Sequence, residues 1–353
     1  MRILGHTYGT AGDVLPVVAV GQALKARGHD VRLWTNGAFR DVVERAGLSW
    51  REAGTAEEYA QFTATPKLWH PVRGFRMVLR RGVLPSLADG VAALRDEVVP
   101  GKTIVMGTAL SLHARVVREL EDVVLVTLFT APGSIPSARR APRWAGTRIP
   151  SWAPAAAKHA AWRLVDRRTD SWIAPRLNRL RAEWGLPPVR RIMREWSLSP
   201  DLVLGLFPPW FGPPQPDWPS TVRLSGFAML GDEAPLDPAL EGWLDDGPAP
   251  IVFTRGAAHP GNRAFFEAAL EAADALDSRS LLIGPGDAVP PRLPDGARRI
   301  DYAPFGRLLD QSAALVSHAG AGTCAHAFRA GIPHLGVPVA FDQLDNATRL
   351  DDL

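Results

Sequence analysis

The sequence predicts an α/β protein built from two doubly wound, Rossmann-like parallel sheets in series. Three observations carry that expectation. Strand-like apolar runs alternate with helical repeats over the first fifty residues, the alternation resumes after residue 221, and the proline-rich run Pro208 to Pro219 interrupts the chain between them. Such alternation marks βαβ units, whose strands lie parallel with helices on the sheet faces. A chain of 353 residues is long enough for two domains that each bury a core.

Taken in order, Arg2 to His6 reads as the first strand. Asp13 to Arg27 reads as an amphipathic helix, with Val17, Val20 and Leu24 at helical spacing and Gly28 as its C-cap. Val31 to Thr35 is a second strand and Asp41 to Ala46 a helix. Further strands are expected at Thr103 to Gly107, Val123 to Leu128 and Leu202 to Phe207, the last closing a first domain over residues 1–207. Residues 208–221 lack too many backbone donors to form a strand or helix and are read as a stiff connector. The second domain, 222–353, offers strands near Val222 to Ser225, Ile251 to Thr254, Ser280 to Ile283, Arg298 to Tyr302, Ala313 to Ser317 and His334 to Val337, with a helix over Asn262 to Leu276. Two sheets in series place a cleft between their carboxyl edges.

Composition excludes several classes. Apolar residues make up 46% and charged residues 22%, and the mean hydropathy is −0.04, the profile of a soluble globular chain. No run approaches the ~18 apolar residues of a spanning helix. The N-terminus enters a strand directly, without a cleavable leader pattern, so a cytoplasmic location is expected. Cys324 is the only cysteine, which excludes an intrachain disulfide and a cysteine-built zinc site. The net charge of +3 is uneven: residues 139–196 hold fourteen Lys/Arg against four Asp/Glu, a local balance of +10, together with six of the twelve tryptophans. That segment fits a solvated helical face over a Trp-rich core, or a peripheral contact with the inner face of a membrane or an anionic acceptor. Nothing in it points to nucleic acid.

The stretch 314–346 carries the chemistry. Leu315 and Val316 end an apolar run, His318 follows, and Gly320 and Gly322 free the backbone so that amides at the start of the next helix can face an anion. Thr323 is expected to cap that helix, read as Cys324 to Ala330, and to offer a hydroxyl. Gly331 ends the helix, and the following strand delivers Asp342 and Gln343 to the same edge.

S-H-A-G-A-G-T followed by G-I-P-H-L-G-V-P-V-A-F-D-Q-L-D-N-A resembles the donor signature of bacterial glycosyltransferase family one, the inverting natural-product and rhamnosyltransferase-like branch with the GT-B fold. The resemblance implies two Rossmann-like domains facing across a cleft, a nucleotide-diphosphate sugar as co-substrate, UDP- or dTDP-linked, and no resident cofactor. It assigns the donor diphosphate to His318, Gly320, Gly322 and Thr323, with Arg255 as an added cation, and hydroxyls of the donor sugar to Asp342 and Gln343. Ala257 stands where relatives carry a small hydroxyl residue. Asp301-Tyr302-Ala303-Pro304-Phe305 resembles the segment that reads the nucleotide base, which points to Tyr302, Ala303 and Phe305.

The first strand ends in a loop with two glycines, Gly9 and Gly12, before Asp13. Asp13 either caps the following helix through its carboxylate or meets the substrate. G-x-x-G-D-V-x-P resembles the family's N-terminal loop, whose aspartate is the general base for the acceptor hydroxyl, with His6 as a second participant. The implied reaction is metal-free direct displacement with inversion, moving a hexose to a hydroxyl of an apolar small molecule or lipid. No two aspartates are separated by a single residue, so the metal-binding D-x-D of the other glycosyltransferase fold is absent. The chain stops at Leu353 within the helix after D-Q-L-D-N-A, where the family continues, so the donor domain is read as incomplete. That motivates two other readings: a non-catalytic, truncated nucleotide-sugar-binding protein, and a sugar epimerase of the same architecture.

Overall fold

The computed structural model describes residues 1–353 except 71–72, 141–149, 151, 231–233 and 257–262. Ala257, Asn262 and Trp144 therefore lie outside the described residues. The chain forms two compact units, Met1–Ala228 and Met229–Leu353.

Among its described residues the first unit holds seven strands: β1 (Arg2–His6), β2 (Asp30–Thr35), β3 (Ser49–Glu52), β4 (Thr103–Thr108), β5 (Val124–Phe129), β6 (Leu202–Gly205) and β7 (Val222–Leu224). Their order is β3-β2-β1-β4-β5-β6-β7 and every pairing is parallel. The second unit holds β8 (Ile251–Thr254), β9 (Ser280–Ile283), β10 (Ala297–Ile300), β11 (Ala314–Ser317) and β12 (His334–Gly336), in the all-parallel order β10-β9-β8-β11-β12. Both are doubly wound, Rossmann-like sheets. Strands buried on both faces read as continuous apolar runs, which is why most of these were legible in sequence.

The core of each unit follows that alternation. In the first, Leu4, Val105 and Leu125 pack with Leu87, Val91 and Leu94 and with Ile173 and Leu177 of the 29-residue helix Ala155–Glu183. In the second, Val252, Leu281 and Leu315 face one layer, while Phe253 and Leu282 face Phe266 of the helix Arg263–Ala275 on the other. Each such side chain contributes about 1.5–3 kcal/mol on burial.

Two expectations about organisation need correction. The strand at Val222–Leu224 does not open the second domain: it pairs with β6 and is the seventh strand of the first sheet. The proline-rich run before it is irregular, as expected, but it is packed into the first unit and is not an interdomain connector. Phe211 is buried against Phe227, Trp218 meets Phe207 edge-on, and the Asp217 carboxylate accepts from Ser137 Oγ at 2.7 Å and Ala138 N at 2.6 Å. Missing backbone donors rule out regular structure but say nothing about what the aromatic rings between the prolines bury, so the divide falls after Ala228.

The described residues of the basic segment 139–196 include both buried and exposed tryptophans. Trp162 and Trp196 are buried and donate to Ser137 O at 3.0 Å and Glu119 Oε1 at 2.9 Å. Arg181 is buried and pairs with Glu119 at 2.6 Å under the Trp196 ring. Trp152 is 82% exposed and Leu164 68%. Among the described residues no helix is long and apolar enough to cross a membrane.

Candidate active site

In each sheet the strand order reverses at one place, and the carboxyl edge there is where the two flanking loops diverge and leave a crevice. In the first sheet that place lies between β1 and β4, and in the second between β8 and β11. Asp13 follows the first point, and Arg255 and His318 follow the strands at the second.

At the first, β1 ends in His6 and the loop Thr7–Thr10 leads into the helix Ala11–Ala26, two residues earlier than expected. Asp13 is the third residue of that helix and turns back, its Oδ2 accepting from Thr10 N at 2.9 Å. Gly9 sits at φ +127°, and a Cβ there would lie 2.1 Å from Asp13 Oδ2, so only glycine lets the loop lie against the carboxylate. Asp13 is half-buried, and the Tyr59 phenol is pushed up to about 12 by burial and by the Asp13 charge.

His6 is 1% exposed and belongs to the interior. Its ring lies 3.7 Å from that of His113 and 4.5 Å from that of Tyr8, and Ser111 Oγ donates to the His6 carbonyl at 2.8 Å. Tyr8 in turn is hydrogen-bonded to Ser86. His6 thus packs beneath the loop among Tyr8, His113 and Ser111. His113, on the helix Leu112–Glu121, is fully buried, and among the described residues neither ring nitrogen has a hydrogen-bond partner. Burial holds His113 down at about 3, and burial together with the neighbouring His113 holds His6 well below the usual imidazole range.

These shifts set a pH dependence. Both folded values lie below the ~6.5 of a free imidazole, so the unfolded chain binds protons that the fold rejects. The stabilising effect is complete above about pH 6.5 and is lost as pH falls from there toward about 3, by about 1.4 kcal/mol per pH unit for each histidine titrating only when unfolded. Thermal melts from pH 7 to pH 4 should show a steep fall in Tm, and His113→Leu should flatten it. An unchanged slope in that variant would show that His113 does not set it.

At the second point, Ser317 pairs level with Thr254 and with Gly336, Thr254 with Ile283, and Ile283 with Ile300. The next residues of these strands, among them Arg255, Asp301 and His318, therefore leave the sheet along one edge. The His318 ring is flanked by two glycines. A Cβ on Gly256 would meet its Cε1 at 2.7 Å, and one on Gly320 would meet its Nε2 at 2.6 Å.

The helix following His318 spans Ala321–Ala330, with Gly320 at its N-cap. Thr323 is thus a first-turn residue and not the cap, a correction to the expected start at Cys324. First-turn amides have no intrahelical acceptor and carry the positive end of the helix dipole. Gly322 has open space where a side chain would stand. The left-handed residue of the turn is neither glycine but Ala319, at φ +62°. Its N–H donates to Ser317 Oγ at 3.1 Å and its carbonyl accepts from Asn346 Nδ2 at 3.0 Å. Ser317 Oγ also lies 2.8 Å from His334 Nε2, and burial holds His334 down at about 4.

Asn346 bridges back to Asp342 Oδ2 at 2.8 Å, and burial raises the Asp342 carboxyl. Gln343 is buried, its Oε1 accepting from Val339 N and Ala340 N at 2.9 Å each, so its carbonyl end braces its own loop. Arg255 lies over the Phe265 ring at 5.4 Å, half-buried, and desolvation lowers its pKa.

The expected base-reading residues separate. Phe305 packs on the core and edge-on to His326, Ala303 is buried, and Tyr302 is 74% exposed beside a depression of about 390 Å³ shared with Asp237 and Leu240. Phe305 is only partly buried. Sequence reading missed Ser317, His334, Asn346, Gly256 and Tyr59. The spacing of Asp342 and Asn346, four apart on a helix, was the one signal available.

Two family descriptions match the chain: the glycosyltransferase family 28 N-terminal domain over residues 3–81, and the erythromycin biosynthesis protein CIII-like C-terminal domain over residues 273–353. The chain is 30% identical to O-mycaminosyltylonolide 6-deoxyallosyltransferase of Streptomyces fradiae over 99% of its own length and 83% of that protein. It is also 30% identical to glycosyltransferase GtfE of Amycolatopsis orientalis, over 100% of this chain and 84% of that one. Among solved structures, the glycosyltransferase of kitacinnamycin aligns with a TM-score of 0.74 at 17% identity, over 99% of this chain and 84% of that one. Spinosyn rhamnosyltransferase SpnG complexed with thymidine diphosphate aligns at 0.62 and 20%, over 100% and 84%.

Proposed function

We infer, since this chain belongs to the bacterial natural-product glycosyltransferases of the GT-B fold and is itself a glycosyltransferase, that it moves a hexose from a nucleotide-diphosphate sugar to a hydroxyl of an apolar acceptor with inversion. The observation that carries this reading is the pair of loops at the two switch points: one presents a carboxylate braced by its own backbone, the other a histidine clasped by glycines beside an open helix N-terminus.

Each unit is assigned half of the chemistry. Asp13 takes the proton from the acceptor hydroxyl as its oxygen attacks the anomeric carbon. The bond from that carbon to the diphosphate breaks, and the negative charge that develops on the leaving oxygen is met by His318, by the amides of Ala321 to Thr323 and by Arg255. Those donors are held in place before the reaction, which makes them the larger contribution. Asp342 reads donor hydroxyls, with Gln343 placing the loop and offering its amide. Tyr302 and the Ala303 backbone flank the nucleotide base.

The test is mass-resolved consumption of UDP- and dTDP-linked sugars by the purified protein, with and without a pool of hydroxylated aglycones. Acceptor-dependent release of nucleotide diphosphate with a matching hexose adduct is the expected result. Donor binding without turnover across the panel would sink it.

A further inference from the structure

The basic surface of the first unit is used by neither half of this chemistry, and its arginines are arranged about one ring. The short helix Arg73–Met77 runs into a π-helical turn, Val78–Val83, which lies against the helix Ala155–Glu183. Between them is a depression of about 360 Å³ lined by Arg76, Arg80, Leu84, Trp172, Pro175 and Arg176. The guanidinium of Arg76 stands 5.9 Å from the centre of the Trp172 ring and that of Arg168 stands 5.6 Å from it. Among the described residues none of these four arginines makes an ion pair with a carboxylate. Two acidic side chains of the same helix are turned elsewhere: Asp166 pairs with Arg194 at 2.6 Å, and Asp170 accepts from the backbone of Arg191 and Ile192.

Some arginines of the unit are matched to carboxylates, as Arg118 is to Asp201 and Arg181 to Glu119. Here four converge with none. An arrangement of planar guanidiniums without internal acid suits an external anion that each can grip with two parallel N–H groups, which is the geometry of phosphate. The Trp172 face and the apolar edges of Leu84 and Pro175 provide a floor for whatever carries it. Leu164, Arg168, Trp172 and Arg176 follow one another at four-residue spacing, so an exposed leucine continues the same helical face.

We propose that this depression is a binding site for a phosphate group, separate from the donor loop, held by Arg76, Arg80 and Arg176, with Arg168 beside them over the Trp172 ring. Its chemistry is shared by a lipid headgroup and a soluble phosphate ester, and the experiment separates the two.

The test uses the whole chain, the charge-removing variant Arg76→Gln/Arg80→Gln, and a variant that removes two exposed arginines elsewhere, Arg27→Gln/Arg45→Gln. Co-sedimentation with phosphatidylglycerol vesicles, with phosphatidylcholine vesicles as control, reads the headgroup arm. Calorimetric titration with pyrophosphate reads the soluble arm. Pyrophosphate also suits the donor loop, so the quantity read is the number of sites lost on substitution. The expected result is a drop of about tenfold or more in one arm for Arg76→Gln/Arg80→Gln, none for the control variant, and loss of vesicle binding in high salt as charges are screened. Loss of one pyrophosphate site identifies a soluble ester, and loss confined to vesicles identifies a headgroup. Equal binding by wild type and both variants, or no binding to either probe by the wild type, would overturn the proposal. Transfer to a soluble acceptor is followed in parallel and should not change, so a failure of the glycosyl-transfer reading shows up separately.

Discussion

Asp13→Asn is expected to lower kcat by about 10²–10⁴-fold while leaving donor KM near the wild-type value. Asparagine is the informative substitution because Asp13 does two things. Its Oδ2 accepts from Thr10 N at 2.9 Å, and an amide oxygen can take over that bond while losing the basicity. Asp13→Ala removes both, so it should add a loss of helix-cap stability of about 0.5–2 kcal/mol. The pair separates the cap from the base: a Tm drop only in the alanine variant, with kcat falling in both, fits the assignment. Wild-type kcat in Asp13→Asn would end the base role, whatever happened to stability. Gly9→Ala provides an internal check, since its Cβ would displace the carboxylate and leave its chemistry intact. It should mimic the loss of rate.

The second large effect is expected at a residue with no side chain. Gly256→Ala should reduce kcat/KM for donor by about 10²–10³-fold, the range seen when one preorganised oxyanion donor is removed. Two reasons combine. At φ +84° the backbone of Gly256 disfavours any L side chain, and the added methyl would fall 2.7 Å from His318 Cε1. The ring must move, and with it the group proposed to meet the diphosphate. His318→Ala should cost a similar factor, and the double variant should be no worse than the poorer single, because both changes remove one interaction. Additive losses would show that Gly256 acts independently of His318.

These two sites differ in how much the sequence revealed. The strands were readable because parallel strands covered on both faces leave unbroken apolar runs, as Leu202 to Gly205 and Ile251 to Thr254 do. Ser49–Glu52 left no such run, being an edge strand with charged residues at two of its four positions, and was missed. The positions of His318 and Asp13 were legible because glycine spacing reports backbone demands. What glycine spacing cannot report is which residue takes the demanding conformation. In the donor turn it is Ala319, while Gly320 and Gly322 serve to keep volume clear. A motif fixes which residues are near a site but not which way each side chain turns: the Gln343 carbonyl end turns to two backbone donors, and Phe305 packs in part on the core.

Ala319 also bears on which sequences the loop can pass through. A left-handed alanine is disfavoured by roughly 1–2 kcal/mol, and here it is held by Ser317 on its amide and Asn346 on its carbonyl. Either bond can be lost safely only after position 319 has become glycine, since glycine needs no help to stay left-handed. The three positions therefore form a ratchet: Ala319→Gly is permissive for drift at 317 and 346, whereas drift at either of them first closes the path. A library randomised at all three should return survivors that keep Ser317 and Asn346 when 319 is alanine and that scatter at both when it is glycine.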